Sequence, residues 1–485
     1  MPMTAVVFWI VYVGGICAAV IYPVVGVALY ILVYHLDPET QWWGRTFDQA
    51  GIRPSMTVAA ATVVGILLRR PRFTDGARQF PLPMVLMLAL VGYALLTLMW
   101  ATPSWALTGF MAEKVAKLGV FILILVRCVR RPEHYQLAYL SWLAGVAFLG
   151  YQAWGGIGAD VGGRLAWGLG GPDFGTSSGL ATHLVATLPL LGALFFMSPT
   201  WWGRGFALLA GALAVNTIIM TRTRSVLVGL AAMCMGAVFW LPKGYRAKGL
   251  AAIVVGTVLA VQLTDPAWWA RMETVQTYRQ DSSAVSRLVF WRAALEMAHQ
   301  QPLGIGLGQF RLRIQEFLPG SRGEHSAHST AAECLAELGV PGFVLLILLV
   351  VATFLRLGRM RRAGHEFALE SPIELGPWTT RFHLGWHAMA LQAALAGYLG
   401  CALFTSRMWA EDFWMLLALA VSLQNVRLHM QARAAATGPA ASAPTAAAPV
   451  ARTPALPGVP APAGAWPGEV PYRAAAIQPN PGPAE

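Results

Sequence analysis

The stretch VPGFVLLILLVVATFL, residues 340–355, runs for sixteen residues without a charge. Such a run is too long for a water-soluble core and suits a bilayer, whose spans need about 20 mostly apolar residues. Comparable runs recur at 5–36, 56–68, 84–100, 115–126, 135–154, 179–197, 205–220, 226–240, 250–263, 386–404 and 413–423. Several are short, so their true ends must extend into the flanks. With the first counted as one helix, the runs predict twelve spans. Pro23 interrupts that first run, which suits one kinked helix or a helix plus a short re-entrant piece, because proline removes a backbone donor.

Composition supports the same class. Of 485 residues, 56% are hydrophobic and only 12% charged, against roughly 25% charged in soluble domains. That excludes an ordinary soluble enzyme, a disordered scaffold and a nucleic-acid binder. The net charge of +12 then points to anionic lipid. The nineteen Trp suit interfacial belts. Five Cys, an odd number, make no disulfide framework. The fold class is an all-α polytopic membrane protein.

Charge orients it. Nothing charged precedes Asp37, so the start lacks the basic region of a cleavable signal peptide. Alternate short loops hold 16 basic residues on one side against 8 on the other. The positive-inside rule therefore places both termini in the cytoplasm and the long 265–337 segment outside. The expected organisation is a bundle of about nine helices over 1–264, an outer loop over 265–339 and further spans over 340–427. A tail over 428–485 is Ala/Pro-rich, with 12 of the 31 Pro after Arg433, and should be disordered.

Candidate chemistry concentrates in the outer segment. "RMETVQTYRQDSSAVSRLVFWRAALEMAHQQPLGIGLGQF" suggests a loop, a helix from about Ser286 capped by Ser283 or Ser286, then a Gly-rich turn. Arg287 and Trp291 lie four apart and share a helix face. The glycines at 304–308 have no preceding strand, so they predict a tight, close-packed turn and not a nucleotide loop. "EHSAHSTAAECLAELGVPG" runs straight into a span and sets His328 at its start. His325 and His328, with Glu324 and Glu333, raise a metal site. They lack the H-E-x-x-H spacing, and Glu333 does not continue the same face. Asp37–Pro–Glu39 is an acidic pair of the kind metal-dependent membrane glycosyltransferases place in a first outer loop, but it stands alone. An interfacial His that only hydrogen-bonds is the plain alternative. In "TRTRS", Arg222 and Arg224 sit at the outer end of a span, where arginine either snorkels to headgroups or grips an anion such as phosphate.

Together, "TRTRS", "SRLVFWRAALEMAHQQPLGIGLGQF" and "AHSTAAECLAELGVPG" resemble the bacterial O-antigen ligase and polymerase superfamily. The matching positions are Arg224, then Arg287, Trp291, Pro302, Gly304 and Gly306, then His328, Glu337 and Gly339. The core covers about 120 residues, and the twelve spans with one large outer loop before the last three fit the whole architecture, GT-C-like in its implied fold. Thr223 stands where relatives have Ser, and Ser329 where they have Asn. "RMETVQTYRQDSSAVSR" also looks like the O-glycosylation ligase subgroup found with exosortase systems.

The resemblance implies transfer of a glycan from undecaprenyl diphosphate to an acceptor hydroxyl at the periplasmic face of the inner membrane, with no metal or other cofactor. The acceptor is lipid A–core, a polysaccharide or a protein. Arg224 and Arg287 would carry the charge of the departing diphosphate, and His328 would be the base. Arg222, Arg279, His325 and Trp291 are second-rank substrate-binding candidates. The same motifs fit a polymerase or a protein O-oligosaccharyltransferase, which differ in acceptor. A lipid-linked glycan transporter is the non-enzymatic alternative. It predicts polar residues along a midplane path, and His183, Asn216 and Gln262 are the main ones within the runs.

Overall fold

A computed structural model describes residues 3–69, 80–169, 171, 173–264, 268–269, 282–318, 325–366, 370–373 and 380–436. Each expected apolar run lies in helix. The helices are α1 (Met3–Ile21), α2 (Pro23–Leu36), α3 (Arg45–Gln49), α4 (Pro54–Arg69), α5 (Leu82–Leu96), α6 (Phe110–Cys128), α7 (Pro132–Trp154) and α8 (Ser177–Met197). They continue as α9 (Trp201–Thr221), α10 (Ser225–Trp240), α11 (Lys243–Leu263), α12 (Ser282–Gln300), α13 (Phe310–Phe317), α14 (Thr330–Glu366), α15 (Leu384–Ala402) and α16 (Glu411–Ala436). A two-stranded antiparallel ribbon, β1 (Glu370–Ile373) with β2 (Thr380–His383), is a small addition to the expected all-α architecture. By length and composition, five described segments can cross a membrane: Leu82–Met99, Ser177–Met197, Trp201–Thr221, Lys243–Gln262 and Thr330–Gly364. The protein is an all-α polytopic membrane protein.

Local chemistry explains several helix ends. The Thr176 and Thr200 hydroxyls accept from Gly179 N (3.1 Å) and Gly203 N (3.4 Å), capping α8 and α9. Pro23 and Pro132 open α2 and α7 at the first turn, where a missing N–H costs nothing.

Residues 5–36 are not one helix. Tyr22 leaves helical geometry (φ −127°, ψ 89°) ahead of Pro23, and α1 and α2 fold back on each other. Gly15 abuts Leu29, and Gly26 abuts Ala19 and Thr62, so side chains there would hold the pair apart. Phe8 consequently lies over Trp43 (ring centroids 4.3 Å), beside the connection that follows α2. This corrects the count of the first run as one helix: it is a hairpin of two. The last helix also corrects a boundary, because it continues through 428 to Ala436. The rest of the expected tail, 437–485, lies outside the described residues.

α8, α15 and α16 form the centre of the bundle, with Leu184, Leu391, Trp414 and Leu417 sealed from solvent. α10 meets α15 backbone to backbone, Gly229 lying against Gly397, Gly400 and Cys401. α11 has no buried residue in its apolar window; it packs on α10, and its Tyr245 meets Trp386 of α15 (ring centroids 5.3 Å). The connections at 97–109, 155–169, 173–176 and 403–410 gather with residues 282–318 and 325–329 at one end of the bundle, the near end.

Candidate active site

The near-end site begins with a turn. Phe290, Ala294 and Met297 of α12, Ile305, Phe310 and Ile314, and Ala327 and Ala336 form a small apolar core of their own. α12 starts at Ser282, earlier than expected, so Ser286 lies within the helix and does not cap it. α14 breaks at Gly339 (φ 61°, ψ −164°), and the 302–309 turn docks into that break. Ile305 N donates to Ala336 O (3.0 Å), Gly306 N to Glu337 O (2.9 Å) and Val340 N to Pro302 O (2.9 Å). Gly304 (φ 89°) and Gly339 meet backbone to backbone. A Cβ on Gly304 would strike Glu337 O and Gly339 N, and one on Gly339 would strike Pro302 O and Gly304 N. The Pro, Gly-x-Gly and Glu-x-Gly positions are thus one contact. The Glu337 carboxylate completes it by accepting from Phe310 N (3.2 Å).

The same turn is fastened to α5. Tyr93 OH donates to Leu303 O (2.8 Å), Trp100 Nε1 to Gly304 O (2.9 Å) and Leu307 N to Thr97 Oγ1 (2.9 Å). Gln309, fully buried, bonds Thr102 and Thr108.

His328 stands beside this frame. Its backbone is left-handed (φ 49°), uncommon for a residue with a side chain. Ser329 follows as the cap of α14: its O accepts from Glu333 N (2.9 Å) and its Oγ from Ala332 N (3.4 Å). A Ser can therefore do the capping that an Asn would do there. Trp291 Nε1 donates to Ala327 O (3.1 Å), which ties α12 to the His328 segment. Phe290 stacks on His325 (5.1 Å) and lies beside His328 (6.5 Å). His328 is exposed overall, yet its ring is partly dehydrated. That burial first, then Arg287, Arg311 and His325, lowers its pKa below the ordinary histidine value. Arg311, in the first turn of α13, was not foreseen. In RLR it alternates with Arg313, which pairs with Glu316 (2.9 Å), and spacing alone could not separate the two.

Arg224 caps the start of α10 and is half-buried. It lies about a turn and a half beyond the Gly229–Cys401 contact, toward the turn after α15, where Phe404 packs on Trp291 (5.9 Å). Arg222 closes the α9–α10 corner (φ 48°) and donates to Gly162 O (3.0 Å), an architectural use of one of its donors. Arg279 and Glu324 lie outside the described residues. Asp37 and Glu39 sit at the end of α2, both with pKa raised chiefly by burial. Among the described residues, no three His, Cys, Asp or Glu side chains gather as a set that could hold a metal ion.

Residues 208–347, from within α9 to within α14, match the family model for O-antigen ligase. The chain carries an O-antigen ligase domain. That matched stretch contains Arg222, Arg224, Arg287, Trp291, the glycine turn, Arg311 and His328. No curated protein matches the chain.

Outside the ligase domain lies a buried polar network. Arg407, 6% exposed, pairs with Asp412 (2.6 Å) and donates to the Asp173 carbonyl. Asp412 accepts from Tyr398 OH (3.1 Å) and meets His183 Nδ1 (3.3 Å), whose Nε2 shares a hydrogen bond with His35 Nε2 (3.1 Å). Asp173 accepts from Lys114 Nζ (2.8 Å), Tyr34 OH (3.1 Å) and Glu411 N (2.8 Å). His183, one of the main polar residues within the apolar runs, is thus part of a network and not of a midplane path on its own. The partners come from separate parts of the chain, which no linear spacing reveals. The one signal available was that Lys114 and Arg407 fall on the side the charge rule disfavours; both are ion-paired, and Arg407 is buried.

Proposed function

We propose that this protein transfers a glycan from undecaprenyl diphosphate to an acceptor hydroxyl at the periplasmic face of the inner membrane, without a metal. The observation that carries the proposal is His328, exposed at the near end and under the influence of Arg287 and Arg311. A lipid-linked diphosphate presents its charge at headgroup depth, where spans end.

Neutral His328 takes the proton of the acceptor hydroxyl. The acceptor oxygen forms a bond to the sugar's anomeric carbon as the bond from that carbon to the diphosphate oxygen breaks. The electron pair leaves with undecaprenyl diphosphate. Arg224 and Arg287, with Arg311, offset the charge that develops there. A His with lowered pKa is already neutral near pH 7, which suits a base. Ligase, polymerase and protein O-oligosaccharyltransferase share this donor chemistry, so the acceptor decides among them.

The test is an in vitro transfer assay with lipid-linked glycan, offering lipid A–core, glycan and protein acceptors separately. Transfer to one of them that is lost in His328→Ala supports the proposal. Movement of the lipid across vesicles that persists in His328→Ala, with no transfer, would favour a transporter, since flipping needs no base.

A further inference from the structure

We infer that Thr330 and Arg407 are positioning residues for His328, acting through the turn that follows α15. The inference rests on His328 being the base proposed above. His328 is tethered on both sides to residues 404–407. On one side Ser326 Oγ meets Ser406 Oγ (2.8 Å) and also accepts from His328 N (3.4 Å). On the other, the Thr330 hydroxyl donates to Thr405 O (2.8 Å) and accepts from Arg407 N (2.9 Å). Phe404 packs on Trp291, which shares α12 with Arg287. One short turn therefore holds the His328 segment and touches the helix that bears Arg287.

Arg407 in turn fixes that turn to the bundle. Its guanidinium reaches Asp412, the Asp173 carbonyl and Tyr398 OH, and the same Tyr398 oxygen lies 3.3 Å from Arg407 O. A fork with several donors sets orientation in a way a point charge does not. The left-handed backbone of His328 persists only where its surroundings over-determine it, and these tethers supply that. Thr330 and Arg407 are both buried, so they act through His328 and not on substrate.

The test compares Thr330→Val, which keeps the shape and loses both hydrogen bonds, with Thr330→Ser, which keeps them. Initial rates are measured against lipid-linked donor concentration and pH in native membranes. Thr330→Val should lower kcat about a hundredfold, the order expected of a misplacement near 1 Å, with donor KM unchanged. Its acid limb should move up toward ordinary histidine, because the ring leaves the neighbourhood of Arg287 and Arg311. Thr330→Ser should restore both. Ser326→Ala, which cuts the other tether, should lower kcat in the same direction by less and stands in where Thr330→Val does not accumulate. Arg407→Ala with Asp412→Ala, which leaves no unpaired buried charge, should reproduce the kcat loss. A Thr330→Val or Ser326→Ala protein with wild-type kcat and acid limb, beside an inactive His328→Ala, would overturn this inference alone. A fully active His328→Ala would overturn it together with the base assignment.

Discussion

His328→Gly separates catalysis from folding at one position. The backbone there is left-handed, which costs an L-residue roughly 1–2 kcal/mol and glycine almost nothing. Glycine gives back about 0.5–1 kcal/mol through the entropy of its unfolded chain. The exposed ring contributes little packing beyond its contact with Phe290. Net stability should therefore be unchanged or rise by up to about 1 kcal/mol. Activity should go the other way. A positioned general base contributes about 10²–10⁴-fold, which is roughly 3–5 kcal/mol at about 1.4 per factor of ten. The assay is transfer rate at matched protein levels, beside a thermal melt of the purified protein. His325→Ala, which removes a ring stacked on Phe290, should lose about tenfold or less, because that contact orients and does not accept the proton. In the wild type, only neutral imidazole accepts a proton. Burial and the neighbouring cations lower its pKa, so the rate should hold on acidification past about 6.5 and fall below it. A His328→Gly protein turning over within tenfold of wild type would refute the base. An acid limb above that midpoint would refute the electrostatic account.

Arg224→Ala and Arg287→Ala should each abolish most transfer in protein that still inserts, and Lys at either site should rescue only partly, because it lacks the planar fork; transfer assays on membranes settle it. EDTA should leave activity intact, and a loss restored by a divalent ion would revive the Asp37–Glu39 or His325–His328 metal readings. Gly304→Ala should destabilise the near end by more than about 3 kcal/mol, combining a positive-φ penalty with a backbone collision, read as a lowered melting temperature. Deleting residues after Ala436 should cost little transfer, and a truncation that inserts normally yet transfers nothing would give the tail a role.

The apolar runs located the helices of the bundle because a bilayer demands continuous hydrophobicity, a one-dimensional signal. The glycines at 304 and 339 were legible as motifs, but not as a contact, since 35 positions separate them. The α1–α2 hairpin was not legible. Pro23 marks a break in either topology, and only the pairing of Gly15 with Leu29 and Gly26 with Ala19 decides it. The buried network escaped for a related reason: Lys114, Asp173, His183 and Asp412 each look ordinary where they stand in the chain. At the candidate site, the resemblance to the O-antigen ligase and polymerase superfamily pointed to His328 and Arg287. Arg311 and the Thr330–Arg407 tethers needed three-dimensional packing to appear.

The 302–309 turn has a mechanical consequence. It is bolted to α14 through Ala336, Glu337 and Val340, and to α5 and the turn after it through Tyr93, Thr97 and Trp100, with two glycines in contact at the joint. A hinge needs slack, and this joint has none. The turn at that point is a fixed bench and not a lid. Under the proposed function, donor and acceptor must then reach the bench by their own travel, with no swing at the joint itself.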